Sequence, residues 1–97
     1  MRGGATSGAG LKFSITLEDI ARFGPNVACA RAYILKRTQG PTLITTRELA
    51  LEMGMGAYII REAVRSLREE DLLRFRKQFV GDVLRGVYEA KPVWGWR

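Results

Sequence analysis

Thr45–Leu73, TTRELALEMGMGAYIIREAVRSLREEDLL, decides the fold, because it specifies two helices and the turn between them. Thr45 followed three residues later by Glu48 is a capping box: the hydroxyl accepts from a backbone N–H one turn on, and the carboxylate reaches back to the N–H of Thr45. Met53-Gly54 closes this first helix, since glycine takes the left-handed conformation without a Cβ clash. A second helix starts near Gly56. Ile60, Ala63, Val64 and Leu67 recur at helical spacing on one face, with Tyr58, Arg61, Glu62 and Arg65 on the opposite one. The apolar pair Leu72-Leu73 ends the helical pattern.

Beyond Leu73 the chain does not form a further helix. RFRKQFV (74–80) and VLRGVYEA (83–90) flank Gly81-Asp82, a two-residue hairpin turn. Strand alternation points Leu73, Phe75 and Phe79 one way with Lys77, and Arg74, Arg76 and Gln78 the other. Gly86 marks a bulge in the return strand, and Pro92 ends it. Upstream, Thr42-Leu43-Ile44 reads as a brief third strand. Before it, Asn26–Thr38 is an amphipathic helix with Val27, Ala30 and Ile34 inward and Arg31, Lys36 and Arg37 outward. Gln39-Gly40-Pro41 stops it. Thr16 with the acids Glu18-Asp19 starts a helix of one or two turns over Leu17–Phe23, closed by Gly24-Pro25. Leu11–Ile15 alternates as a short edge strand would, with an extended lead-in to the first helix as the other reading.

The chain of 97 residues makes one domain: an N-terminal tail over 1–10, rich in small residues and expected to be disordered, a folded unit over 11–92, and a tail over 93–97 carrying Trp94 and Trp96. Two tryptophans in the last four residues either fold back on the sheet or serve a partner. Sixteen Lys and Arg against ten Asp and Glu give a net charge of +6 and a pI near 10.1, which points to a polyanionic partner. The charges are interspersed, so a merely solvated basic surface is the bland counterpart. No apolar run approaches a membrane span and no secretory h-region opens the chain, so the expectation is a cytoplasmic protein without membrane contact. The lone Cys29 cannot form an internal disulfide and reads as a small core residue, and a chain without histidine is a poor zinc ligand.

Helix, short strand, helix, turn, helix and hairpin is the order of the winged helix-turn-helix. RELALEMGM followed by IIREAVRSLREEDLL is similar to the "relAeelGvs..tvrraLreLeeaGli" pattern of many bacterial, archaeal and phage DNA-binding proteins. GPNVACARAYILKRTQG resembles the first helix of winged modules in regulators and in phage or plasmid replication proteins. Together the resemblance covers about residues 24 to 90. It implies an α+β fold: a three-helix core with a small antiparallel β-hairpin wing. A superfold hosts many functions, so biological role rests on the site residues.

Carried over by position, the resemblance places Leu49, Ala50 and Met53 on the core side of the positioning helix and Ile60, Ala63, Val64 and Leu67 on that of the recognition helix. Ala57, Tyr58, Arg61, Glu62 and Arg65 then face bases and phosphates in the major groove, and Thr46 and Arg47 meet a phosphate at a helix N-terminus. Arg74, Arg76, Lys77 and Arg85 surround the hairpin tip, suited to the DNA backbone or the minor groove, with edge-strand protection as the alternative. Three features depart from the pattern. Gly56-Ala57 replaces a serine-bearing turn, Glu62 and Glu69 share the exposed face with the arginines, and Asp71 stands where glycine is usual, a residue able to enter the left-handed region. The expectation is a homodimeric regulator of transcription bound to double-stranded DNA, with no catalytic residues, metal or cofactor. Alternatives are a plasmid or phage replication or partition factor, and a protein-interaction module docking through Trp94 and Trp96.

Overall fold

The computed structural model describes residues 13–96. In order they form α1 (Leu17–Phe23), α2 (Pro25–Arg37), β1 (Thr42–Leu43), α3 (Thr46–Met53), α4 (Ala57–Glu69), β2 (Leu73–Val80) and β3 (Val83–Ala90). The three strands make one antiparallel sheet in the order β1-β3-β2. The N-terminal tail over 1–10 and the first part of the 11–15 strand expectation lie outside the described residues. Phe13–Ile15 are not a strand. Instead the Phe13 ring meets the Tyr33 ring edge-on at 5.7 Å, so Phe13 packs on α2 and joins no ladder.

Local signals set the element ends. The capping box at Thr45 is complete: its Oγ1 accepts from the Glu48 N–H at 3.0 Å, and its own N–H donates to Glu48 Oε1 at 2.9 Å. Gly54 ends α3 in the left-handed region at φ 65°. Asp71, at φ 59°, holds the left-handed position between α4 and β2, where aspartate is among the few tolerated side chains. Thr16 caps α1 by accepting from the Asp19 N–H at 3.0 Å, and Pro25 occupies the first turn of α2.

The core gathers Ala30, Tyr33 and Ile34 of α2, Ile44 from the link between β1 and α3, Leu49 and Ala50 of α3, Ile60, Ala63, Val64 and Leu67 of α4, and Leu73 and Tyr88 of the sheet. Every core position expected on α4 is buried, and Met53 packs against the same cluster. Truncating Leu67, which is wholly buried, costs about 2–5 kcal/mol by the usual transfer and cavity terms. Two backbone bonds fasten the base of the hairpin to the helices: Ala90 N–H to the Thr38 carbonyl at 2.8 Å and Lys91 N–H to the Leu72 carbonyl at 2.9 Å.

The β2–β3 register runs unbroken from Leu73↔Ala90 to Val80↔Val83, so Gly86 is not a bulge. Glycine is required there for another reason: a Cβ would sit 2.8 Å from the Phe75 ring, which lies across the position. Directly paired residues share a face, so Leu73, Phe75, Lys77, Phe79, Leu84, Tyr88 and Ala90 lie on the helix side. Arg74, Arg76, Gln78, Val80, Val83, Arg85, Val87 and Glu89 lie on the other.

Two arginines expected outside α2 are drawn in. Arg31 is only 6% exposed: it donates to Ser66 Oγ at 2.6 Å and Glu70 Oε1 at 2.9 Å, and its guanidinium stacks 3.9 Å from the Phe23 ring centroid. Arg22, 4.6 Å from the same ring, also bonds Glu70, at 3.1 Å. Helix α1 buries none of its own residues, and this cluster ties it to α2 and the end of α4. Arg37 is half-buried and grips Glu52 through Nε and Nη2, both at 3.1 Å, while the Tyr33 hydroxyl donates to the same carboxylate at 2.7 Å. Because α2 has α1 on one side and α4 on the other, its buried stripe is wider than its apolar stripe.

Candidate functional site

The side of α4 turned toward the sheet forms one wall of an open groove of about 550 Å³, lined by Thr46, Arg61, Val64, Arg65, Arg68, Glu69 and Tyr88. Thr46 comes from the first turn of α3, where backbone N–H groups point outward, and Tyr88 rises from β3. Three guanidiniums at i, i+4 and i+7 span about 10 Å of helix along this wall.

These arginines are not equivalent. At 100° per residue, Arg68 falls about 20° from Arg61, on the side of buried Val64, whereas Arg65, Tyr58, Glu69 and Glu62 turn away by about 40° to 100°. The outermost line of the helix is therefore Tyr58, Glu62, Arg65 and Glu69. On that line Arg65 bonds Glu62 at 2.5 Å and Glu69 at 3.1 Å. The Glu62 hydrogen bond first, then the charges of Glu62 and Glu69, raise the pKa of Arg65 above its ordinary value. Its charge is already answered within the helix. On the flank, Arg61 and Arg68 have no carboxylate partner among the described residues. Arg68 lies over the Phe75 ring at 5.7 Å and faces Tyr88, whose hydroxyl burial raises in pKa against the opposing Arg68 charge. Arg68 is a groove-lining residue that sequence reading missed. Its i+7 relation to Arg61 was visible, but only the position of the sheet shows that this flank borders a groove.

The other expected site residues divide. Arg47, Ala57 and Tyr58 are exposed along the first turns of α3 and α4, and Thr46 opens into the groove. Glu62 is half-buried in its clasp with Arg65. Of the hairpin cations only Lys77 shares the sheet face of the groove. Arg74, Arg76 and Arg85 lie on the opposite face, and they do not surround the tip. Phe79, Val80, Val83 and Leu84 flank Gly81-Asp82 instead, because the alternation that carries the basic residues stops short of the turn. Arg74 is engaged by the tail: its guanidinium stacks on the Trp96 ring at 4.0 Å and pairs with Asp71 at 3.7 Å, while Trp96 Nε1 donates to the Asp71 carbonyl at 3.1 Å. The tail turns back at Pro92–Gly95, where the Gly95 N–H reaches the Pro92 carbonyl at 2.9 Å. Arg76 donates to Gln78 at 2.6 Å.

The geometry suits an extended polyanion: fixed cations on one wall, a hydroxyl and a helix N-terminus at one end, and an open, solvent-facing mouth. Among the described residues no helix is long and apolar enough to cross a membrane. No protein-family model, no curated protein and no solved structure matches the chain.

Proposed function

We propose that the chain is a winged helix-turn-helix protein that binds double-stranded DNA, with α4 in the major groove and β2–β3 as the wing. The observation that carries this reading is the pair of guanidiniums, Arg61 and Arg68, held without carboxylate partners among the described residues on the wall of a groove that Thr46 and Tyr88 complete. Arg47, next in the chain to Thr46, and Lys77, on the strand face that carries Tyr88, add two further cations, so a duplex lying along α4 has four to meet. Tyr58, 67% exposed beside them, offers its ring to a thymine methyl and its hydroxyl to a phosphate. Because Arg65 is neutralised in place, base reading falls to few side chains, and the binding is semi-specific. The setting that the resemblance implies is transcription regulation, with replication or partition of a mobile element as its neighbour.

One domain of this size makes few contacts, and high affinity calls for two copies on a two-fold site. α1, which buries none of its own residues, is the surface offered for pairing. Fluorescence anisotropy on mixed-sequence duplex over a salt series tests the reading, with a log–log slope of about −3.6 expected for four phosphates. Absence of binding at low salt, or a flat slope, refutes it.

A second reading, protein docking through the tail, draws on Trp94, which is 64% exposed. Trp96 cannot serve that role while it holds Arg74 and Asp71. Trp94→Ala leaves DNA affinity unchanged under the first reading.

A further inference from the structure

The end of the β2–β3 hairpin has no task in the fold. Phe79 and Leu84 are paired across the strands and are 69% and 48% exposed; Val80 and Val83, the next pair, are also exposed. Isolated apolar residues on a surface call for no explanation, but four large ones on one projecting end do. The hairpin is held at its base by Leu73, Phe75 and Tyr88, whose side chains reach the core, and Phe79 lies about 13 Å farther along the strand than Phe75. Its outer end therefore adds little to stability beyond its own cross-strand contacts.

We propose that Phe79 and Leu84 form an apolar wedge that enters the minor groove and unstacks a base step of the duplex lying along α4; the proposal rests on the DNA-binding reading above. Phe79 and Leu84 are on the sheet face that carries Lys77 and Tyr88, the face bordering the α4 groove. A duplex held by Arg61 and Arg68 thus meets Lys77 and then the apolar pair. Charge selects the occupant. Lys77 on the same face, and Arg76 and Arg85 on the opposite one, stand within three residues of the apolar pair, against Asp82 as the acid at the turn. That excess attracts a polyanion and opposes a second copy of the same hairpin. The Asp82 carboxylate at the apex repels phosphate, so the hairpin enters by its α4-facing side, where Phe79 and Leu84 lie, and not end-on. Inserting such side chains costs unstacking energy, which added contacts to the bent duplex offset.

The test uses the full chain with end-labelled duplexes of about 25 base pairs, centred on a TpA step that is either matched or replaced by a single mismatch. Anisotropy reports affinity, and energy transfer between the ends reports bending. The wild-type chain is expected to bind the mismatched duplex about tenfold tighter, since its step is already partly unstacked, and to change the end-to-end transfer. Phe79→Ser combined with Leu84→Ser is expected to abolish both effects while leaving salt-dependent binding in place. Both side chains are exposed, so the fold should survive; circular dichroism checks this, and Leu84→Ser alone gives a milder variant with the same readouts. The wedge is overturned if the double variant keeps the mismatch preference and the bend, or if the wild type binds without bending. It is likewise overturned if the substitutions change only the sedimentation of the free protein, which assigns the apolar end to a second copy. Failure of the wild type to bind any duplex removes the DNA reading itself, an outcome distinct from binding without bending.

Discussion

The arginines on the α2 side of the molecule and those bordering the α4 groove are the same chemical group put to opposite uses. Behind α4, Arg22, Arg31 and Arg37 each have a carboxylate within 3.1 Å, and Arg31 is almost wholly out of water. In front, Arg61 and Arg68 have none among the described residues, and they open into solvent. A buried guanidinium must be paired, because desolvation of a lone charge is costly; an exposed one need not be. Unpaired charge is thus left only where water, or a polyanion, can answer it. Arg65 stands between the two groups, exposed yet clasped by Glu62 and Glu69.

If the division holds, substitutions behind α4 change stability without touching duplex affinity, and substitutions in front do the reverse. The largest effect is expected from Glu70→Ala, which leaves Arg31 buried without its carboxylate, on top of an Nε that already lacks an acceptor among the described residues. Urea unfolding should show a loss of about 3 kcal/mol, with duplex affinity of the folded fraction unchanged; a loss below about 0.5 kcal/mol breaks the comparison. Next comes Arg61→Ala combined with Arg68→Ala. Removal of two phosphate contacts should lower the salt slope by about 1.8 and leave the unfolding midpoint where it was. Unaltered affinity in this variant moves the contact to the hairpin.

Titration separates the two sides further. Burial alone would raise Glu52, but hydrogen bonds from Arg37 and Tyr33 outweigh it and hold its carboxyl below the ordinary 4.5. Glu70 is lowered too, chiefly by its hydrogen bond from Arg31. Both are depressed in the folded state, so their stabilisation is present above pH 4.5 and is lost as the pH falls through the folded values. Tyr33 works in the other direction. Burial first, then Glu52, pushes it from 10.0 up to about 12, so its contribution is complete below pH 10.0 and fades as the pH approaches 12. Unfolding curves across pH should therefore fall off at both ends, and Glu52→Gln should flatten each limb. The smallest effect is reserved for Arg65: Glu62→Gln loosens its clasp, and anisotropy should show binding a few-fold tighter with a slope steeper by up to about 0.9.

How legible this was in the residues depends on the range of the forces involved. The Thr45–Glu48 box, the left-handed Gly54 and Asp71, and the Gly81 turn all act within four residues, and each sits where the sequence places it. The strand alternation also put Lys77 with Phe75 and Phe79, and Arg74 with Arg76, on their observed sides. Other features depended on what lay opposite. Gly86 looks like a bulge until the Phe75 ring is found across it, and Phe13–Ile15 alternates like a strand but has Tyr33 as its neighbour. The docking of Trp96 on Asp71 and Arg74 settled one of two open alternatives for the tail, for that residue at least.

The sequence by itself therefore determined where the helices and the two hairpin strands begin and end and which face of α4 is apolar, because capping, left-handed turns and periodicity are short-range effects. Tertiary structure decided that the arginines of α1 and α2 are used up, whereas Arg65 is clasped by neighbours three and four residues away. The carboxylate shared by Arg31 and Arg22, that of Glu70, lies 39 and 48 residues away in the chain, and only folding brings it close enough to pair. The same packing leaves Arg61 and Arg68 on a flank of α4 where neither pairs with an acid among the described residues.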